Sequence, residues 1–98
     1  MDLNSSQRSY LIKHSHDLNP VVHVGKNGIN NGVLDQTEQT LDDHELIKVR
    51  INDNAPLAAR ESAEKISEET GAAVVQVIGS VVILYRENPE LDGYDLPE

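Results

Sequence analysis

The residues best suited to do chemistry are Gly25-Lys26-Asn27-Gly28, a short run between a β-branched stretch and the start of a helical one. Two glycines remove the side-chain bulk that keeps a ligand at a distance, and both can adopt positive φ. Backbone N–H groups at the start of the following helix lack intrahelical partners and carry the positive end of its dipole. A phosphate is therefore favoured there, and Lys26 adds a mobile cation. The same four residues also fit an ordinary glycine-rich β-to-α turn, because an isolated G-x-x-G is a weak signature. Neither G-x-x-x-x-G-K-[ST] nor G-x-G-x-x-G occurs, so nucleotide hydrolysis and dinucleotide redox chemistry lack their signatures. A phosphate-contacting loop without catalytic partners implies binding rather than turnover.

Other candidates carry less. His14 and His16, at i and i+2, do not share a helix face, and no carboxylate stands at a known ligand spacing from them or from His23, so structural roles are expected and no metal site. His44-Glu45 sits at a helix-to-strand junction, where neighbours do not normally point at one another, and no nucleophile is identifiable beside them. Asp42-Asp43 is an acidic helix end, unfavourable to the dipole. Lys48 and Arg50 share one side of their strand and form a small basic ridge that could meet a phosphate backbone, or be a solvated face. Tyr85 could stack on a base, but with three tyrosines and no Phe or Trp a stacking platform is poorly supported and packing is the simpler role.

The elements that position these residues are legible. Asn4–His16 reads as a helix capped by Asn4 or Ser5, with Leu3, Tyr10, Leu11, His14 and Leu18 near one stripe. Pro20 closes that region, and Val21–Val24 is a short strand. Asn30 suits the cap of a second helix, Asn31–Asp43, whose apolar face is Val33, Leu34, Thr37 and Leu41. Glu45–Ile51 alternates, with Ile47, Val49 and Ile51 on one face and Leu46, Lys48 and Arg50 on the other. After the Asn52-Asp53-Asn54 turn, Pro56 and Gly71 bracket a third helix with Ala59, Ala63, Ile66 and Thr70 inward and a Glu-rich outer face. Ala73–Ile78 and Val81–Arg86 form a hairpin about Gly79-Ser80, a type II′ turn that pairs Val77 with Val82 and Val75 with Leu84. Residues 87–98 have no period and read as a loose acidic tail. The order α-β-α-β-α-β-β predicts an α/β (α+β, two-layer) domain with a mixed four-stranded sheet.

The whole chain of 98 residues allows one core. With no cysteine, disulfides, thiolate metal sites and cysteine nucleophiles are excluded, and a reducing cytoplasm is the default. The start has no cationic segment followed by an apolar one, and no run approaches the roughly 20 apolar residues of a membrane span, so neither signal peptide nor membrane partner is expected. Net charge is −9, which taken alone argues against nucleic acid. Its distribution is uneven: residues 1–34 hold Arg8, Lys13 and Lys26 against Asp2 and Asp17, while Glu87, Glu90, Asp92, Asp95 and Glu98 leave the tail without a base.

Three blocks of sequence together form a pattern. Ser15-His16-Asp17-Leu18-Asn19-Pro20-Val21-Val22 runs into Gly25-Lys26-Asn27-Gly28 and Gly32-Val33-Leu34; His44-Glu45-Leu46-Ile47-Lys48-Val49 follows; Thr70-Gly71-Ala72, Val75-Gln76-Val77-Ile78-Gly79 and Leu84-Tyr85-Arg86 complete it. They resemble the CRM domain, the chloroplast RNA-splicing and ribosome-maturation module, in its stand-alone bacterial YhbY form, over about residues 3–86. The resemblance implies a fold similar to the C-terminal domain of bacterial translation initiation factor three. It implies a non-catalytic RNA-binding protein without cofactor, associated with precursors of the large ribosomal subunit and aiding their assembly, with no DNA partner; plant relatives use the module in intron splicing. The family's RNA-contacting loop falls on Gly25, Lys26, Asn27 and Gly28, with Lys13, Lys48 and Arg50 as accessory cations. The chain departs from the family in its acidic balance and in Asn19, where a lysine is common. A second reading makes it a protein-interaction adaptor whose acidic surface meets a basic partner such as a ribosomal protein.

Overall fold

Three helices and four strands follow the expected order: α1 (Ser5–Ser15), β1 (Pro20–Val24), α2 (Asn31–His44), β2 (Leu46–Ile51), α3 (Ala59–Thr70), β3 (Ala73–Ile78) and β4 (Val81–Tyr85). This computed structural model describes residues 2–91 and 93–98; Met1 and Asp92, which belong to the expected domain and tail, lie outside them. The helix starts are chemically specified. Asn4 accepts from the Gln7 N–H while the Gln7 side chain accepts from the Asn4 N–H, a reciprocal capping box. Asn30 accepts from the Val33 N–H at 2.9 Å and opens α2. Gly71 ends α3 in the left-handed conformation, φ +74°.

The strands lie in the order β1-β2-β4-β3, with β1 parallel to β2 and both β4 contacts antiparallel. The Gly79-Ser80 turn sets Ile78 opposite Val81 and Val77 opposite Val82, as expected, and Gly79 has the positive φ (+56°) a type II′ turn needs. The next pair differs from expectation: Leu84 faces Val74, not Val75, because the register shifts between Val74 and Gln76. Val75 is thereby turned to the other face and buried. Arg8 of α1 fixes this irregularity by donating to the Val74 and Val75 carbonyls at 2.8 and 2.5 Å, two acceptors that the disturbed ladder leaves to side chains.

One face of the sheet (Val22, Val24, Ile47, Val49, Ile51, Val82, Leu84) packs against Leu41 of α2 and Ala63 and Ile66 of α3. That is the two-layer unit read from the alternation of β2. The other face is covered only at one end, where α1 brings Leu11 onto Leu46, Val75, Ile83 and Tyr85. Tyr85 is thus core, as its simpler role predicted.

Residues 87–98 contribute no helix or strand among those described, yet they are tied to this second cluster. Tyr94 and Leu96 pack on it, Tyr94 meets His14 and Tyr85 edge-on, and the Asp95 N–H donates to the Tyr10 hydroxyl. Asn88 donates its N–H to the carboxylate of Glu45 at 2.8 Å. Glu45 is buried and has φ +64°, a conformation costing a non-glycine residue roughly 1–3 kcal/mol. Hydrogen bonds of its N–H to Leu41 and of its carbonyl to the Arg86 N–H hold it there.

Arg86 accounts for Asp42 at the acidic end of α2, while Asp43 accepts from the Gln39 side chain. The Arg86 guanidinium donates to Glu38 and Asp42, both at 2.8 Å, and to the Thr70 carbonyl at 2.7 Å, tying the C-terminal ends of α2 and α3 together. Burial works against its charge, but the hydrogen bond and charge of Glu38, then those of Asp42, raise its pKa further above its already high ordinary value.

Candidate functional site

Gly25–Gly28 forms a β-turn at the C-terminal end of β1: the Gly28 N–H donates to the Gly25 carbonyl at 3.0 Å, which pushes Lys26 and Asn27 outward, both exposed. Gly28 has φ +69°, and a Cβ there would come within 2.9 Å of the Pro56 ring. Both the backbone conformation and the space therefore require glycine at this position. Gly25 is different. It has no positive φ, and a Cβ would meet only the Asn52 side chain, at an ordinary 3.9 Å. Nothing in the fold requires glycine at Gly25, and its bareness leaves the backbone open to close approach.

Two residues past the turn, Asn30 begins α2. Its side chain and carbonyl take the Val33 and Leu34 amides, leaving those of Asn31 and Gly32 facing outward, and the first turn of α2 carries no acid. Glycine turn, mobile Lys26 and open helix start thus share one end of the sheet, an arrangement favourable to an anion.

The accessory cations are placed unequally. Arg50 lies beside exposed His23 in the β1–β2 register, one residue from the strand end that adjoins the glycine turn. Lys48 is two residues back along the same face, about 7 Å further from the turn. Both point away from α2 and α3, on the half of the sheet that α1 leaves uncovered. Lys13 is exposed in the last turn of α1, the helix covering the opposite end of the sheet, so it is not brought to the turn. The exposed acids of α3 (Glu61, Glu64, Glu68, Glu69) lie on the far side of the sheet from Lys48 and Arg50. The tail shares the side of Lys48 and Arg50 but occupies the α1 end.

The other candidates fall into structural places. His14 packs against Tyr10 with the rings tilted by 47° and their centroids 4.3 Å apart, and the His16 N–H closes α1 on the Lys13 carbonyl. His44 and Asp17 line a cleft of about 310 Å³ with Leu18, Leu46 and Tyr94, and no serine, threonine, cysteine or lysine is among its lining residues. No group of three or more potential metal ligands occurs among the described residues, and no helix is long and apolar enough to cross a membrane.

Sequence reasoning missed the support behind the turn. The loop after β2 stands against it: the Asn52 N–H donates to the Val24 carbonyl at 2.9 Å, and Pro56 abuts Gly28. These contacts join residues more than twenty positions apart, and the sequence marks them only as a turn and a helix start.

Comparison with known proteins agrees with this architecture. A Haemophilus influenzae protein named an RNA-binding protein is 41% identical over 88 residues, covering 90% of this chain and 89% of its own. The Bacillus subtilis protein YqeI, named a probable RNA-binding protein, is 33% identical across 97% of this chain and 99% of its own. A solution structure of a Staphylococcus aureus protein, described as a candidate RNA-binding protein, superposes with a TM-score of 0.80 at 38% identity, covering 98% of this chain and all of that one. The profile of the CRS1/YhbY (CRM) domain matches residues 3–86. The chain is a member of the CRS1/YhbY (CRM) domain family.

Proposed function

We propose that this protein is a non-catalytic RNA-binding protein that grips the phosphate backbone with the Gly25–Gly28 turn and the start of α2, and that it associates with precursors of the large ribosomal subunit in the cytoplasm and aids their assembly. The observation that carries the reading is the exposed Lys26-Asn27 tip beside a bare Gly25 and the open Asn31 and Gly32 amides. Lys26 is the main cation, with Arg50 and then Lys48 as secondary contacts; Lys13 would touch only an RNA long enough to cross to the α1 end. The names of the relatives support RNA as the partner class. A protein of net charge −9 can do this because the Glu-rich face of α3 lies across the sheet from the basic ridge.

The direct test is the salt dependence of RNA binding. Each phosphate contact removed lowers the slope of log affinity against log salt by roughly 0.7–0.9. Lys26→Glu is expected to weaken binding and flatten that slope; an unchanged slope refutes the loop assignment. Sucrose-gradient fractionation of host lysate tests the assembly role. Co-migration with large-subunit precursors that collapses on nuclease treatment supports it, whereas a nuclease-resistant complex favours an adaptor acting through the acidic α3 face.

A further inference from the structure

Of the 17 acids in the chain none lies in a strand, and the strands' only charged side chains are Lys48 and Arg50. At the end of the sheet nearest the glycine turn, the registers align one residue from each strand. His23 stands beside Arg50, Arg50 beside Val81, and Val81 beside Ile78. All four point away from α2 and α3, because the residues next to them in each strand (Val22 and Val24, Val49, Val82, Val77) pack on the core of that side. Neither α1 nor the tail covers this row, since both meet the sheet further along, about Leu46, Val75, Ile83 and Tyr85. With strands about 4.8 Å apart, the row spans roughly 14 Å. His23 and Arg50 are exposed, and Ile78, at 55%, is the most exposed large apolar side chain among the described residues. Exposed singly, Ile78 would need no explanation. In a continuous row with Val81, Arg50 and His23, which begins two residues before Gly25, it does. Asp53, the acid nearest Arg50 in sequence, stands with Ala58 and Ala59 at the start of α3 and not on the row.

We infer that the RNA held at the glycine turn is single-stranded and continues across the sheet along this row, with a phosphate on Arg50 and base faces on His23, Val81 and Ile78. The inference rests on the RNA-binding reading and adds to it the form of the RNA, its path and three contact residues. Charge selects the occupant. An acid-free face carrying Arg50 and Lys48 attracts a polyanion and repels a basic protein, and it is continuous with the turn where the phosphate backbone is already gripped. The apolar half of the row selects the form. The broad apolar surfaces that RNA offers are the faces of its bases, and a duplex keeps those stacked inside, so an unpaired strand is what can lay them on Val81 and Ile78. An imidazole ring serves the same purpose at His23. Every base has such a face, so the path tolerates any sequence and needs no hydrogen bond to a base edge.

The test measures binding of three RNAs by fluorescence anisotropy at several salt concentrations: a mixed-sequence single strand of about 12 nucleotides, the same strand paired with its complement, and an abasic strand of equal length. The full chain is compared with its Ile78→Ala, Ile78→Thr, His23→Ala, Arg50→Gln, Lys26→Glu and Leu91→Ala variants. The unaltered protein is expected to bind the single strand at least about fivefold more tightly than either other RNA. Ile78→Ala and His23→Ala are each expected to weaken single-strand binding about fivefold while keeping the salt slope, because a base contact is lost and no phosphate contact. Ile78→Thr keeps the β-branched shape that suits a strand and is expected to weaken binding in the same direction, so a misfolded alanine variant does not hide the result. On the abasic strand both Ile78 variants should match the unaltered protein. Arg50→Gln should lower the slope by roughly 0.7. Leu91→Ala removes a large apolar side chain, 38% exposed and outside the row, and should change nothing. A duplex bound as tightly as the single strand overturns the inference, as do Ile78 variants that bind the single strand normally or lose as much on the abasic one. Binding of poly-glutamate that Ile78→Ala weakens as much as it weakens RNA makes the row the seat of an acidic protein, and overturns it too. If Lys26→Glu flattens the salt slope while the Ile78 and His23 variants keep full affinity, only the path fails. If the unaltered protein binds none of the RNAs, the RNA-binding reading falls and this inference with it.

Discussion

Replacing Gly28 with alanine introduces two separable penalties. The first is conformational: at φ +69° a Cβ crowds its own backbone, at roughly 1–2 kcal/mol. The second is steric. The new carbon would lie 2.9 Å from Pro56 Cγ and 3.5 Å from Cδ, and a proline ring cannot rotate away as a long side chain can. The backbone of one loop must shift, and overpacking of this kind costs about 1–3 kcal/mol more. Gly71 supplies the internal control, because its φ is +74° and a Cβ there meets nothing within 4 Å. Gly71→Ala should therefore lose about 1–2 kcal/mol, and Gly28→Ala about 2–5 kcal/mol. For a domain of this size the gap corresponds to a difference in Tm of at least about 4 °C. Urea denaturation followed by far-ultraviolet circular dichroism measures both, and the Pro56→Ala background closes a double-mutant cycle in which about 1 kcal/mol or more of the Gly28→Ala loss is recovered. A Gly28→Ala protein no less stable than Gly71→Ala, or a loss that Pro56→Ala leaves untouched, refutes the packing argument and with it the idea that the loop after β2 holds the turn.

Arg86→Ala should cost about 1–3 kcal/mol, since it leaves the Thr70 carbonyl unpaired and two carboxylates unbalanced; Arg86→Lys should recover only part, because an ammonium cannot span Glu38, Asp42 and the carbonyl as the planar fork does. Denaturation curves at low and high salt check this, with the loss smaller at high salt because the carboxylates are 43% and 63% exposed. Alkaline titration offers a further check. Burial, followed by the charge of Glu45, pushes the Tyr85 hydroxyl up to about 12 from 10.0. The raised folded value means that its stabilisation is complete below about pH 10 and is lost as pH climbs toward 12, a change of roughly 2–3 kcal/mol. Stability followed across that window should fall, with tyrosinate absorbance of Tyr85 developing together with unfolding; ionisation of all three tyrosines in a still-folded protein near pH 10 contradicts the burial argument.

Short-range chemistry made much of this fold legible. Asn4, Asn30 and Gly71 mark helix ends because caps are satisfied within four residues, and Ile47, Val49 and Ile51 mark a buried face because a strand alternates. The Gly79-Ser80 turn sets the hairpin register as far as Val77. Beyond it Val74 and Val75 are identical side chains, so either could have faced Leu84, and Arg8, arriving from α1, decides between them. The tail shows the same limit. No period organises Tyr94 and Leu96, and their packing depends on where α1 and Glu45 have already been placed. At the candidate site, the exposed tip and the helix start were readable from Gly25–Gly28 and Asn30. The wall formed by Asn52 and Pro56 was not, since no local pattern records which loop a glycine touches.

The strand order also governs when this chain can fold during its own synthesis. β2 is flanked by β1, made before it, and by β4, made after it. At typical elongation rates the stretch from Ile51 to Tyr85 takes roughly 2–7 s to appear. Through that interval Leu46, Ile47, Val49 and Ile51 have a neighbour on one edge only, and the Glu45 carboxylate awaits Asn88. A ribosome that pauses before β4 emerges presents a two-stranded apolar fragment with an open edge, the form most exposed to chaperones, proteases and mispairing with another nascent copy. Completion of β4 abolishes that edge at a stroke, so a nascent chain passes from vulnerable to closed over the five residues Val81–Tyr85.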